Sequence, residues 1–258
     1  LTTYLDRIVA HHRRIAAADE RDTSELRARA EKMPAVRGFG ASLAATPHLA
    51  VIAEIKRRSP SKGDLNIGLN PAQFAELYEQ GGASCLSVLT DEDHFGGSAD
   101  DLQQARAACT VPVLRKDFTV SVNDVLDARL MSADCVLLIA AALHADELRT
   151  LHEVATDVGL DVLVEIHDEA ELDVALAAGA TIVGVNQRDL VTFQVDHQRA
   201  CRMADQMPAH VLRVAESGVR GRADAGSLRS AGYHAVLVGE SLVTSGNPAA
   251  AVRDLLVE

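Results

Sequence analysis

Ala50-Val51-Ile52-Ala53-Glu54-Ile55-Lys56 combines β-branched and small apolar residues, contains no glycine or proline, and turns polar only at its end, the pattern of a buried strand. Alternate residues of a strand point to opposite faces. Val51, Ala53 and Ile55 make one wholly apolar face that suits packing against helices. Ile52, Glu54 and Lys56 make a second face that ends in a carboxylate beside an ammonium. Seven comparable runs follow, at Ser84–Leu89, Val111–Arg115, Asp134–Ile139, Asp161–Ile166, Thr181–Val185, Val211–Ala215 and Ala235–Val238. Their starts lie 20 to 34 residues apart, room for one helix and two short loops each time.

The intervals carry helical periodicity, at Pro71–Gln80, Ser98–Ala107, Val122–Met131, Ala145–Val158, Asp168–Ala177 and Arg222–Ser230. Pro71 stands near a helix start, while Gly81-Gly82, Gly159, Gly179 and Gly232 follow helix ends. Strands alternating with helices pair in parallel. Eight such units in a chain of 258 residues predict an α/β fold, a closed (β/α)8 TIM barrel, over an open doubly wound sheet. No complete Gly-x-Gly-x-x-Gly follows the first strand; Gly38-Phe39-Gly40 lacks the third glycine and precedes that strand. One barrel domain is expected over residues 1–258, with residues 1–49 as an additional N-terminal helical segment. A single amphipathic helix over roughly Thr3–Lys32, with Leu5, Ile8, Val9, His12 and Ile15 on its apolar side, is expected to pack on the bottom or rim of the barrel.

Composition narrows the function. The net charge of −12 argues against generic nucleic-acid binding, which needs a basic stripe, but leaves room for a small anionic ligand in a local positive pocket. The longest apolar runs, such as Cys135–Leu143, fall well short of the roughly 20 residues that span a bilayer, and the N-terminus has no apolar signal core. Cys85, Cys109, Cys135 and Cys201 are scattered without a Cys-x-x-Cys pair and read as free thiols of a reducing compartment, so a cytoplasmic enzyme is expected. His11-His12 lies in the N-terminal helix, and no metal-ligand spacing stands out. His94, His144 and His152, with the acidic run Asp91–Asp93, read as surface. His167 is in phase with Glu165, which would bring it to the mouth of the barrel, although a loop histidine with no role is the plainer reading.

The strand ends carry the chemistry. In a barrel, catalytic groups sit at the C-terminal ends of the strands. The third strand ends with Lys116 in phase with Leu114, and the fifth with Glu165 in phase with Leu163. The sixth ends with Asn186 two residues after Gly184, and the seventh with Glu216. Five strands thus send Glu54, Lys56, Lys116, Glu165, Asn186 and Glu216 towards one rim. One such pair could be a structural salt bridge, but the repetition points to one acid–base site. Glu216-Ser217-Gly218-Val219 and Val238-Gly239-Glu240-Ser241 are glycine-bearing turns leading into helices, which suit a phosphate held by backbone N–H groups.

Ile52-Ala53-Glu54-Ile55-Lys56-Arg57-Arg58-Ser59-Pro60-Ser61 resembles the first-strand motif of indole-3-glycerol phosphate synthases, barrel enzymes of tryptophan biosynthesis. The likeness continues in Leu86–Asp91 with Phe95–Ser98, Val113–Phe118, Val164–His167, Gly184–Leu190, Ala215–Gly218 and Leu237–Glu240. It implies a lyase that converts 1-(2-carboxyphenylamino)-1-deoxyribulose 5-phosphate into indole-3-glycerol phosphate, carbon dioxide and water, with no cofactor or metal. By resemblance Lys116 is the general acid of ring closure. Lys56, paired with Glu54, contacts the substrate carboxylate and assists dehydration, and Glu165 acts as base or stabilises the cationic intermediate; sequence leaves the division between the two lysines open. Asn186, Arg188, Glu216 and Ser217 orient substrate and lysines. Gly218, Gly239 and the Glu240 backbone hold phosphate, with the Glu240 side chain turned outward. Ser59 joins the substrate site, and Phe95, Phe118, Leu137 and Leu190 flank the aromatic ring. The Ser59–Asn70 connection, carrying Lys62, reads equally as a mobile lid or a passive loop. Ser132-Ala133-Asp134 stands where Gly-Ala-Asp is more usual. The expected partners are the phosphorylated anionic substrate and other enzymes of the same pathway. The rival readings are an isomerase of a phosphoribosyl aminoaryl compound, a Schiff-base aldolase and a non-catalytic phosphate sensor.

Overall fold

Eight parallel strands close on themselves: β1 (Ala50–Ile55), β2 (Cys85–Leu89), β3 (Val113–Lys116), β4 (Cys135–Ile139), β5 (Asp161–Ile166), β6 (Ile182–Asn186), β7 (Leu212–Glu216) and β8 (Ala235–Val238). The computed structural model describes residues 3–189 and 191–258. Each strand pairs with its sequence neighbours, and β8 closes onto β1 in the register Ala50↔Ala235 through Ala53↔Val238. The third strand begins two residues later than its apolar run suggests, because Pro112 has no N–H to give a ladder; its carbonyl still accepts from Leu86 N–H at 2.9 Å.

Strand parity sorts the side chains into two cores. Ala50, Ile52, Cys85, Leu114, Cys135, Leu137, Leu163, Ile182, Val214 and Leu237 fill the barrel interior. Their sequence neighbours Val51, Ala53, Leu86, Val88, Val136 and Leu138 face outward and are buried under the helices. The cysteines are free, and burial raises the Cys85 and Cys135 thiols well above their ordinary value.

The N-terminal segment differs from the single expected helix. It forms α1 (Tyr4–Ala17), α2 (Thr23–Ala30) and α3 (Phe39–Ala45). The first break falls at two aspartates whose side chains bind nearby backbone in place of helical solvent exposure: Asp19 accepts from Arg21 N–H at 3.0 Å, and Asp22 caps α2 through Ser24 N–H at 2.7 Å. The segment reaches both ends of the barrel. Phe39 and Leu43 of α3 join the interior core at the N-terminal end of the strands, while Tyr4, Leu5 and Ile8 of α1 reach the opposite mouth. Arg13 holds α1 there through a two-pronged bond to Glu147 at 2.8 and 2.7 Å. Ser132 adopts φ +67°, the left-handed conformation that glycine takes most easily, which accounts for the commoner residue at that turn. No helix among the described residues is long and apolar enough to cross a membrane.

Candidate active site

Interior parity carries the polar strand ends into one cavity of about 580 Å³ at the C-terminal mouth. β1 places Lys56 Nζ 2.5 Å from Glu54 Oε1, and Ser87 Oγ of β2 donates to Glu54 Oε2 at 3.3 Å. Lys116, at the end of β3, reaches between β5 and β7. Its Nζ lies 3.0 Å from Glu165 Oε2 and 3.5 Å from Glu216 Oε2. Asn186 of β6 donates through Nδ2 to Glu165 Oε1 at 3.0 Å, while its Oδ1 accepts from Arg188 N–H at 3.0 Å. These two contacts set the amide's orientation and hold the glutamate still.

Three buried carboxylates face two ammonium groups, so the cluster cannot be neutral with every carboxylate ionised. Burial opposes the charge on Lys116, yet Glu165, Glu216 and Glu54 outweigh it and hold the amine protonated well above its ordinary value. Burial likewise opposes ionisation of Glu165, but Lys116, His167 and the Asn186 amide bring it down to about 2. Glu216 takes the remaining proton: burial, then the charge of Glu165, outweigh Lys116 and push it up to about 8. Among the described residues Glu216 Oε1 has no hydrogen-bond partner, and it lies against the backbone of Gly184, where any Cβ would fall on it.

The two glycine turns line the same cavity, Gly239 directly against the Glu54–Lys56 pair. Ser217 and Gly218 take successive left-handed conformations, φ +66° and +78°, and both line the cavity. The N–H groups of Gly218, Gly239 and Glu240 have no hydrogen-bond acceptor among the described residues. Phe95 and Phe118, with ring centroids 6.2 Å apart, and Leu137 give the cavity an apolar wall.

The sequence pattern of the indole-3-glycerol phosphate synthase family matches residues 5–255. The chain is 49% identical over 256 residues to an indole-3-glycerol phosphate synthase of Mycolicibacterium gilvum, covering 98% of this chain and 94% of that protein. It is 50% identical over 254 residues to another from a Parafrankia species, again covering 98% and 94%. Among solved structures, the N-acetylmannosamine-6-phosphate 2-epimerase of Clostridium perfringens superposes with a TM-score of 0.61 at 12% identity, covering 78% of this chain and 90% of that one, a likeness of fold alone. The chain belongs to the indole-3-glycerol phosphate synthase family.

Within this synthase-family site, Glu54, Lys56, Ser59, Phe95, Lys116, Phe118, Leu137, Glu165, Asn186, Arg188, Glu216, Ser217, Gly218, Gly239 and Glu240 all line the same cavity. Leu190, expected beside the aromatic ring, lies outside the described residues. The Glu240 side chain is 42% exposed and lies 3.9 Å from Lys62 Nζ, away from the cluster. The Ser59–Asn70 connection folds into a small antiparallel pair, Arg58–Ser59 with Gly63–Asp64, and lends Ser59 through Lys62 to the cavity wall. Sequence reasoning placed two groups only incompletely. Tyr4, Leu5 and Ile8 roof the cavity, which helical periodicity could not reveal because it says nothing of where a helix docks. His167 stands with Nε2 3.7 Å from Glu165 Oε1 and Nδ1 3.1 Å from Glu171 Oε2. Its phase with Glu165 was the available signal.

Proposed function

We propose that this chain converts 1-(2-carboxyphenylamino)-1-deoxyribulose 5-phosphate into indole-3-glycerol phosphate, with release of carbon dioxide and water. The observation that carries the reading is Lys116, a protonated amine held between two carboxylates in a buried cavity. The ring carbon bearing the carboxylate attacks the ketone carbon, and the carbonyl oxygen takes its proton from Lys116. An oxygen developing alkoxide character is more basic than an amine, so a strongly held proton still moves towards it. Glu165 faces the cationic ring intermediate, which loses carbon dioxide as the electrons of the breaking C–C bond restore the aromatic ring. Lys56 then protonates the departing hydroxyl, and Glu165 removes the proton from the carbon beside nitrogen, closing the indole. Gly218, Gly239 and Glu240 offer their N–H groups to the phosphate at the other end. Phe95, Phe118 and Leu137 flank the ring. A Schiff-base aldolase needs a neutral amine as nucleophile, and the carboxylates around Lys116 favour the opposite state. Four free cysteines suit the reducing cytoplasm as the compartment of the reaction.

The chain contains no tryptophan, so indole emission on mixing enzyme with substrate rises from a dark background. Lys116→Ala should lower turnover on the order of 10²–10⁴-fold with an unchanged far-UV circular dichroism spectrum. Near-normal turnover in that variant would remove Lys116 from the acid role. Covalent labelling of Lys56 or Lys116 by borohydride with a ketose phosphate would move the reading to the aldolase.

A further inference from the structure

Asp91 is a buried carboxylate, 4% exposed, at the end of the loop that follows β2. Among the described residues no lysine or arginine pairs with it. Its side-chain partners are two imidazoles, His12 Nε2 of α1 at 2.9 Å and His94 Nδ1 at 3.0 Å from Oδ2, the latter also 3.2 Å from Oδ1. The other oxygen, Oδ1, is occupied by the backbone N–H groups of His94 and Phe95 at 2.6 and 3.2 Å, which fixes the carboxylate with Oδ2 turned to the histidines. The rings are held as well: His12 packs on Phe118 at 5.4 Å, and His94 lies edge-on to Tyr4 at 6.1 Å. The three ligand atoms all lie within 4.8 Å of one another. Asp117 Oδ1 is 4.0 Å from His12 Nε2 but is already engaged by Phe118 N–H. His11, bonded to Asp93 at 3.0 Å, stands alongside with its ring 5.7 Å from that of His12.

A divalent ion would set its charge directly against the buried carboxylate, in place of the ring protons that face Oδ2. Bonds of roughly 2.0–2.2 Å to imidazole nitrogen and carboxylate oxygen place neighbouring ligand atoms a little over 3 Å apart, so Oδ2 already stands near the required distance from each ring nitrogen, and the two rings, within 4.8 Å of each other, close on the ion by rotation of their side chains. Two nitrogens and one oxygen select zinc-like ions over magnesium or calcium. We propose that His12, Asp91 and His94 form a binding site for a first-row transition-metal dication of the Zn²⁺ or Co²⁺ type, with water in the fourth position, and that the bound ion pins α1 over the mouth of the cavity. The site is separate from the acid–base cluster and does not depend on the reaction proposed above.

The test uses the full chain after chelator treatment. Titration with Co²⁺ should give visible bands of tetrahedral intensity that saturate at one ion per chain and are displaced by Zn²⁺, and Zn²⁺ should raise the melting temperature. Amide exchange within Tyr4–Ala17 should slow when Zn²⁺ is bound. His12→Ala and His94→Ala, both at partly exposed positions, should each weaken Co²⁺ binding on the order of 10-fold or more and abolish the thermal shift, whereas the remote His152→Ala should bind as the parent does. Absence of saturable binding, or affinity retained in either His12→Ala or His94→Ala, would overturn the site. Binding that leaves exchange in α1 unchanged would overturn the pinning.

Discussion

Lys116, Glu165 and Glu216 behave as one titrating unit, and their fates separate by surroundings. Glu165 has an ammonium and an amide N–H on its two oxygens, whereas Glu216 shares the ammonium and has one oxygen with no donor at all. The folded protein holds a proton on Glu216 up to about pH 8 that an ordinary carboxyl gives up near 4.5, so this residue's contribution to stability falls as pH rises through that window. Glu165 acts in the opposite sense: its contribution is present above about 4.5 and is lost as pH falls towards 2. Glu216→Gln, which imitates the protonated carboxyl, should remove the alkaline-side decline. Urea midpoints from pH 5 to 9 would show it, and parallel curves for parent and variant would refute the assignment. Glu165→Gln should lower kcat far more than it raises KM, because the amide keeps the shape but cannot take a proton; an unchanged kcat would refute the base role.

The elements divide the work between the ends of the barrel. At the bottom, α3 inserts Phe39, fully buried, into the interior core. Phe39→Ala should cost about 3–5 kcal/mol of unfolding free energy, measured by denaturant titration, and leave KM unchanged since the cavity lies at the far end. At the top, the turn after β7 depends on φ +78° at Gly218. Proline is locked near −65°, so Gly218→Pro should raise KM for the phosphorylated substrate with a smaller change in kcat; an unchanged KM would place the phosphate elsewhere. Strand ends were legible in the sequence because parity and β-branched runs are local. The break between α1 and α2 was legible only in part: the apolar side ends at Ile15 and the polar run Asp19–Glu25 interrupts it, but only the capping contacts of Asp19 and Asp22 show that the chain turns there.

Across the whole molecule, the barrel turns sequence-distant strand ends into neighbours and α1 closes the space they share. Ile8 is buried yet belongs to neither the interior core nor the outer one. A chain starting at Thr23 should therefore still unfold cooperatively, its helical circular dichroism signal lower only by the share of α1, while KM rises about 10-fold, the value of one apolar side chain's worth of lost contact; unchanged KM would show that the roof takes no part in binding. The amino-acid order by itself determined the number of strands, their parity and therefore which polar residues face inward, because these depend on neighbours along the chain. Tertiary structure alone decided which carboxylate keeps the extra proton, which end of the barrel each N-terminal helix covers, and that His12 meets Asp91 and His94. Those outcomes depend on distances between residues tens of positions apart, and no periodicity along the chain encodes them.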